Sequence, residues 1–248
     1  MKDRVALITG GGRGIGREAA QLLSAAGARV MITARSEIEL KSVGVDYVAS
    51  DLGTAEGCAL AVAETERRLG PIEILVVNHG IGSAHERLIW EQDPETWRRT
   101  MQVNLDAPFE LARLTVGGMC KRGFGRLVFT SSTAGEKAER SGSAYTASKH
   151  GVIGLARAVA QDAGPFGVTS NAVLPGWVRT AMAQRSAQSE SERRGISVEE
   201  VWRERAAIYP QNRVLEPLEV AQVIAFLCSD AAGGVNGEAI TVALGGLW

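Results

Sequence analysis

The feature that most constrains the fold is a glycine-rich turn close to the N-terminus. Residues 5–8 form a short apolar run, typical of a buried parallel strand. The sequence Thr-Gly-Gly-Gly-Arg-Gly-Ile-Gly follows directly at residues 9–16, and residues 17–26 favour a helix. Glycines at a strand-to-helix turn let the backbone approach a pyrophosphate closely, and the helix N-terminus offers it free N–H groups. The turn therefore predicts a site for a phosphate-bearing ligand.

The spacing of these glycines narrows the class of ligand. It is G-x-x-x-G-x-G, which differs from the commonest dinucleotide fingerprint, G-x-G-x-x-G. No Gly-Lys-Ser/Thr follows, so the phosphate loop of a nucleoside triphosphatase is not expected.

Apolar runs alternate with helical stretches along the whole chain. The expected strands are residues 5–8, 29–33, 47–49, 72–77, 126–130, 168–174 and 239–242. This rhythm predicts one α/β domain over residues 1–248, a Rossmann-type doubly wound parallel sheet with helices on both faces. Two segments stand out. Residues 35–51 are short for a crossover helix, whereas residues 181–209 are long, charged and helix-favouring.

Composition excludes several classes of function. A net charge of −1 over 248 residues gives no basic surface for nucleic acid or for an anionic membrane. No apolar run approaches the length of about 20 residues that a membrane span needs, and the first strand leaves no room for a signal peptide. The cysteines and histidines (Cys58, Cys120, Cys228, His79, His85, His150) share no ligand spacing. We expect a cytoplasmic protein with reduced thiols and no metal site.

A tyrosine and a lysine suggest the chemistry. Tyr145 and Lys149 are four residues apart and fall on one face of a helix. A nearby ammonium favours the phenolate, which lets a tyrosine act as an acid or base closer to neutrality. Ser132 lies in a separate segment and can hydrogen-bond the reacting oxygen. The trio suits carbonyl reduction or alcohol oxidation beside a hydride carrier, although a surface lysine and a half-buried tyrosine also fit the spacing of the pair.

From residue 5 to about residue 246 the chain resembles the short-chain dehydrogenase/reductase family. The glycine turn, the Tyr145/Lys149 pair and the segment of Ser132 match its motifs. Asn104, the pair Asp51 and Leu52, and the segment from Pro175 to Thr180 match three further motifs. One motif departs, because the family's Asn-Asn-Ala-Gly is Val77-Asn78-His79-Gly80 here.

The resemblance implies roles for these residues. Tyr145 is the expected proton donor, Lys149 lowers its pKa and holds the nicotinamide ribose, and Ser132 orients the carbonyl. Asn104 is expected to hold a water linked to Lys149, and residues 181–210 have the position of the family's substrate lid. The implied cofactor-binding residues are Gly10, Gly12, Arg13, Gly14, Ile15, Gly16, Arg35, Asp51, Leu52, Asn78, Gly80, Tyr145, Lys149, Pro175, Gly176, Val178 and Thr180.

Charge at the end of the second strand suggests which dinucleotide binds. An acidic residue there usually accepts the adenosine ribose hydroxyls and selects NAD. This strand ends in Ala34-Arg35-Ser36, and Arg13 can face the same ribose. Two guanidiniums suit a 2′-phosphate. We predict NADP(H), with NAD(H) as the alternative.

The motif details most resemble 3-oxoacyl and polyketide ketoreductases, with 3-hydroxybutyrate dehydrogenases also close. The resemblance implies reduction of a 3-oxoacyl-type or other ketone. Alternatives are an NAD-dependent dehydrogenase of a secondary alcohol or 3-hydroxy acid and, more remotely, a dinucleotide-binding scaffold without catalysis. Trp177 is either an apolar wall of the substrate pocket or a core residue. The resemblance also implies a homotetramer or homodimer through the helices near residues 97–120 and 144–163.

Overall fold

A computed structural model describes residues 1–83, 87–138 and 140–246. Within these ranges seven strands form one parallel sheet of order β3-β2-β1-β4-β5-β6-β7. They are β1 (Val5–Thr9), β2 (Arg29–Ala34), β3 (Asp46–Ala49), β4 (Ile74–Val77), β5 (Gly125–Thr130), β6 (Val168–Pro175) and β7 (Ala239–Val242).

Helices connect the strands and cover both faces of the sheet. They are α1 (Gly14–Ala25), α2 (Glu37–Lys41), α3 (Ala55–Leu69), α4 (Pro94–Met101), α5 (Ala107–Arg122), α6 (Ser143–Ala163), α7 (Ala181–Arg194), α8 (Val198–Ala207) and α9 (Pro217–Leu227). A π-helical turn, Gln102–Asp106, joins α4 to α5. No helix in the described ranges combines the length and apolarity needed to cross a bilayer.

Strand β1 illustrates how the sheet is buried on both sides. Val5 and Leu7 pack into a core beneath α3, α5 and α6, whereas Ala6 and Ile8 pack into a second core beneath α1 and α9. Successive side chains of a strand point to opposite faces, so a central parallel strand must be apolar throughout. The predicted Rossmann-type doubly wound fold is confirmed by this architecture.

Several boundaries differ from the sequence predictions. Strand β4 begins at Ile74 rather than at residue 72. Helix α1 begins at Gly14, inside the glycine-rich turn, rather than at residue 17, because Arg13 is extended and takes the N-cap position. The short segment after Arg35 contains only the five-residue helix α2. The charged stretch from residue 181 folds into α7 and α8.

Candidate active site

A cavity of about 710 Å³ runs along the carboxyl edge of the sheet. Parallel strands leave their following loops at one edge, which is where ligands bind in open α/β sheets. All the sequence-predicted site residues line this cavity except Gly16 and Asn104. The fold thus brings together motifs that lie up to 170 residues apart, from Gly10 to Thr180.

The glycine-rich turn forms one wall of the cavity. Gly10 has φ +65° and its amide donates to the Thr33 carbonyl at 2.8 Å. A Cβ at Gly16 would lie 2.3 Å from the Gly10 carbonyl oxygen, so only glycine lets α1 pack this closely on the turn. Gly16 therefore allows α1 to pack closely against the turn, although it does not itself line the cavity. Helix α1 begins without a side-chain cap, which leaves first-turn N–H groups for a ligand.

Lys149 is a buried cation at the end of the cavity that also holds Ser132 and Tyr145. It is 5 % exposed, and its ammonium donates to the Thr130 carbonyl at 2.8 Å. The Nζ atom lies 5.7 Å from the centre of the Tyr145 ring. Burial lowers the pKa of Lys149 to about 8, because it penalises the charged form. The two residues thus lie close enough for the charge of one to act on the other.

Ser131 and Ser132, which follow β5, lie against the part of α6 that carries Tyr145 and Lys149. The Ser131 hydroxyl donates to the Lys149 carbonyl at 2.8 Å, which fixes α6 against the end of the strand. Ser132 lines the cavity, and its hydroxyl oxygen accepts from the Ala134 amide at 3.1 Å. That bond uses an oxygen lone pair, so the hydroxyl proton of Ser132 is left for another acceptor.

Asn104 lies behind the cavity, on the π-helical turn. It is 1 % exposed; its side-chain oxygen accepts from the Ile81 amide at 2.8 Å and its NH₂ group donates to the Ile81 carbonyl at 2.9 Å. The same NH₂ group donates to the Ser148 hydroxyl, which in turn donates to the Tyr145 carbonyl. A Cβ at Gly80 would lie 3.2 Å from the Asn104 oxygen and 3.7 Å from the Lys149 Nζ, so both flank Gly80. Asn104 thereby joins the loop after β4 to α6.

His79 lines the cavity, although the sequence analysis gave it no role. Its Nδ1 lies 2.8 Å from the Thr9 hydroxyl oxygen, which already accepts from the amides of Asn78 and His79. The Thr9 hydroxyl also donates to the Val76 carbonyl at 3.4 Å, so Thr9 connects the loop that carries Asn78 and His79 to strands β1 and β4. Burial, with a contribution from Lys149, lowers the pKa of His79 to about 3. The departure from the family motif at residues 77–80 was the sequence signal for this site.

Glu39, which the sequence analysis did not single out, adds a carboxylate to the end of the cavity that lies beside β2. Glu39 of α2 lines the cavity, and its carboxylate binds the Arg13 guanidinium at 2.8 Å. Strand β2 itself ends without an acid, as expected, but the short α2 brings a carboxylate to the same place. Arg35 is exposed at the cavity and has no ion-pair partner among the described residues. Arg13 and Arg35 are therefore not equivalent.

Trp177 is both a cavity wall and a core residue. It lines the cavity, and its ring lies 3.7 Å from the Arg205 guanidinium. Arg205 is 4 % exposed and binds Glu190 at 2.9 Å, so it connects α8 to α7. Met182 of α7 lines the same end of the cavity. Trp177 and Met182 thus give the cavity an aromatic and aliphatic wall.

The described residues contain no group of three or more histidine, cysteine or acidic side chains arranged to hold a metal ion. His85 lies outside the described residues.

This chain is similar to known reductases along nearly its whole length. A family model described as enoyl-(acyl carrier protein) reductase matches residues 10–246. The monensin polyketide synthase putative ketoacyl reductase of Streptomyces virginiae is 36% identical over 256 residues, covering 99% of this chain and 97% of its own length. The acetoacetyl-CoA reductase of Rhizobium meliloti is 36% identical over 244 residues, covering 96% of each. The crystal structure of a variant actinorhodin polyketide ketoreductase with NADPH superposes with a TM-score of 0.92, at 34% identity and 98% coverage of both chains.

Proposed function

Because the chain belongs to the short-chain dehydrogenase/reductase family, we propose that it transfers hydride between NADP(H) and a carbonyl or secondary alcohol. The favoured substrates are 3-oxoacyl-type compounds or other ketones. One observation carries the proposal: Ser132, Tyr145 and Lys149 line the same cavity as the glycine-rich turn. The similarity to a ketoacyl reductase and an acetoacetyl-CoA reductase supports reduction of the carbonyl as the direction of the reaction.

The volume of the cavity, about 710 Å³, and its hydrogen-bond donors support binding of a dinucleotide. The uncapped N-terminus of α1 offers N–H groups to the pyrophosphate. Asp51 and Leu52 are proposed to contact the adenine and Asn78 the adenosine ribose. Gly80, which lies beside Lys149, is proposed to contact the nicotinamide ribose, and Val178 and Thr180 the carboxamide of the nicotinamide. When bound, NADPH supplies the hydride. Arg35 is the main cation proposed to bind a 2′-phosphate, and the NADPH in a related crystal structure supports this choice. NAD(H) is the alternative.

In the proposed mechanism each catalytic side chain acts on the carbonyl oxygen or on a proton. Ser132 donates a hydrogen bond to the substrate carbonyl and stabilises the negative charge that develops there. Tyr145 donates its proton to that oxygen during reduction and accepts it back during oxidation. Lys149 lowers the pKa of Tyr145 and binds the nicotinamide ribose. Asn104 positions the Ile81 loop against α6 and is proposed to hold a water that connects Lys149 to solvent.

Substitution of Tyr145 by Phe tests the mechanism, since it keeps the ring and removes the transferable proton. We expect the variant to lose at least about a hundredfold in kcat/KM while still binding NADPH. The assay uses a panel of ketones, β-keto thioesters, 3-hydroxy acids and an enoyl thioester, with both nicotinamide cofactors. Wild-type activity in Tyr145→Phe contradicts the mechanism. Dinucleotide binding without turnover of any panel member by the wild type favours the scaffold alternative.

We also propose a homo-oligomer, a tetramer or dimer, assembled through α5 and α6. The outer face of α6 carries exposed Gly154 and Ala158, and α5 carries Phe109, which is 52% exposed. Small residues allow a neighbouring helix to approach closely, and exposed aromatics favour burial.

The three cysteines are unpaired, which supports the proposed location in a reducing cytoplasm.

A further inference from the structure

The placement of α2 brings a carboxylate to the adenosine end of the cavity. The helix has five residues, Glu37–Lys41, and is capped by Ser36, whose hydroxyl accepts from the Glu39 amide. A Cβ at Gly12 would lie 3.1 Å from the Glu39 Cβ, so α2 packs directly against the glycine-rich turn. Glu39 consequently faces the place where the adenosine ribose is proposed to bind.

The carboxylate and the two neighbouring arginines differ in their freedom to bind a phosphate. Arg13 is engaged by Glu39, and both side chains are partly exposed, at 52% and 36%. Arg35 has no such partner among the described residues. A phosphate bound to Arg13 must therefore displace Glu39 or lie beside its negative charge. The hydroxyls of an unphosphorylated ribose, by contrast, donate hydrogen bonds that a carboxylate can accept.

We propose that Glu39 is a cofactor-specificity residue that competes with the 2′-phosphate of NADPH for Arg13. The competition limits the preference for NADPH and improves the binding of NADH through the ribose hydroxyls. This inference rests on the proposed function, because it concerns the cofactor of the same cavity.

Substitution of Glu39 by Gln tests the competition with little change of shape. The matched control is Glu37→Gln, on the same helix, because Glu37 binds Lys41 at 3.0 Å and does not line the cavity. The readout is the dissociation constant of each dinucleotide, measured by calorimetry at two salt concentrations, which requires no turnover. We expect Glu39→Gln to raise the NADPH/NADH affinity ratio about three- to tenfold, since a partly exposed ion pair is weak. The control should leave the ratio unchanged.

A double-variant cycle separates competition for Arg13 from simple removal of negative charge. In an Arg13→Ala background, Glu39→Gln should change NADPH affinity much less than it does in the wild type. An equal effect in both backgrounds overturns the competition. If both dinucleotides bind but Glu39→Gln leaves their ratio unchanged, the inference fails and the proposed function stands. If the wild type binds neither dinucleotide, both fail.

Discussion

Burial of the Lys149 ammonium lowers folding stability, and this effect can be measured as a dependence of stability on pH. The ammonium is buried, with the Thr130 carbonyl as its hydrogen-bond acceptor, and its pKa falls from 10.5 to about 8. Between these two values the unfolded chain binds more protons than the folded one. Folding stability therefore rises with pH over this window and is lowered below pH 8, where the buried amine must carry its charge.

We expect Lys149→Met to remove this dependence. Met has no titrating group, so the free energy of unfolding should lose its rise between about pH 8 and pH 10.5. Urea denaturation of both proteins at pH 7, 8.5 and 10 measures the difference. Carbonyl reduction should fall by at least about a hundredfold, because in the proposed mechanism the methionine can neither assist proton transfer by Tyr145 nor bind the nicotinamide ribose. Parallel pH profiles of stability contradict the assignment of a buried ammonium.

His79 is expected to make folding stability depend on pH in the acid range. Its pKa is lowered from 6.5 to about 3, so the neutral imidazole contributes stability above pH 6.5 that is lost as pH falls towards 3. We expect His79→Ala to unfold less steeply with acid over this window. Circular dichroism during acid titration measures it, and the exposed His150, changed to Ala, is the control. If the acid-unfolding curves of His79→Ala and wild type have the same slope, His79 is not the group responsible.

The π-helical turn at Gln102–Asp106 places Asn104 between the loop after β4 and helix α6. Its amide satisfies both backbone groups of Ile81 and the Ser148 hydroxyl. We expect Asn104→Ala to destabilise the fold by about 1–3 kcal/mol for each buried group left without a partner. Thermal unfolding measures the effect, and Gln102→Ala, exposed on the same turn, should change stability by less than about 0.5 kcal/mol. Equal effects contradict a bridging role for Asn104.

How far the sequence predicts an element depends on the range of the interactions that place it. The strand at residues 5–8 and the turn after it were predicted because the apolar run and the glycines act locally, although α1 begins at Gly14, three residues before the predicted start. The positions of Asn104 and Gly16 behind the cavity, by contrast, depend on packing between elements. Glu39 was missed because its ion pair with Arg13 spans 26 residues and depends on how α2 rests on the turn. The hydrogen bonds between His79 and Thr9 join residues 70 positions apart, so no local spacing in the sequence reveals them.

The strand order separates two electrostatic environments within one cavity. Arg13, Arg35, Glu39 and the Arg99–Asp51 pair gather beyond β1, β2 and β3, whereas Ser132 follows β5. Strands β2 and β5 are three steps apart in the sheet, which corresponds to about 14 Å. The charged end, which is proposed to bind the phosphates, and the end that holds Ser132, Tyr145 and Lys149 thus lie at the two ends of one cavity. This separation suits the proposed transfer of hydride from a dinucleotide to a ketone.

The outer face of α6 provides a test of the proposed assembly. Gly154 is exposed, and a Cβ there meets nothing within 4 Å of the chain. In a monomer, Gly154→Arg should be neutral or stabilise the helix by about 0.5–1 kcal/mol, because glycine is a poor helix former. In an oligomer with closely packed α6 helices, the same change should dissociate the subunits. We expect light scattering of the variant at micromolar concentration to approach the 26.3 kDa of one chain. Gln21→Arg, which adds the same charge to exposed α1, should retain the wild-type mass. A wild type that is itself monomeric at this concentration contradicts the assembly.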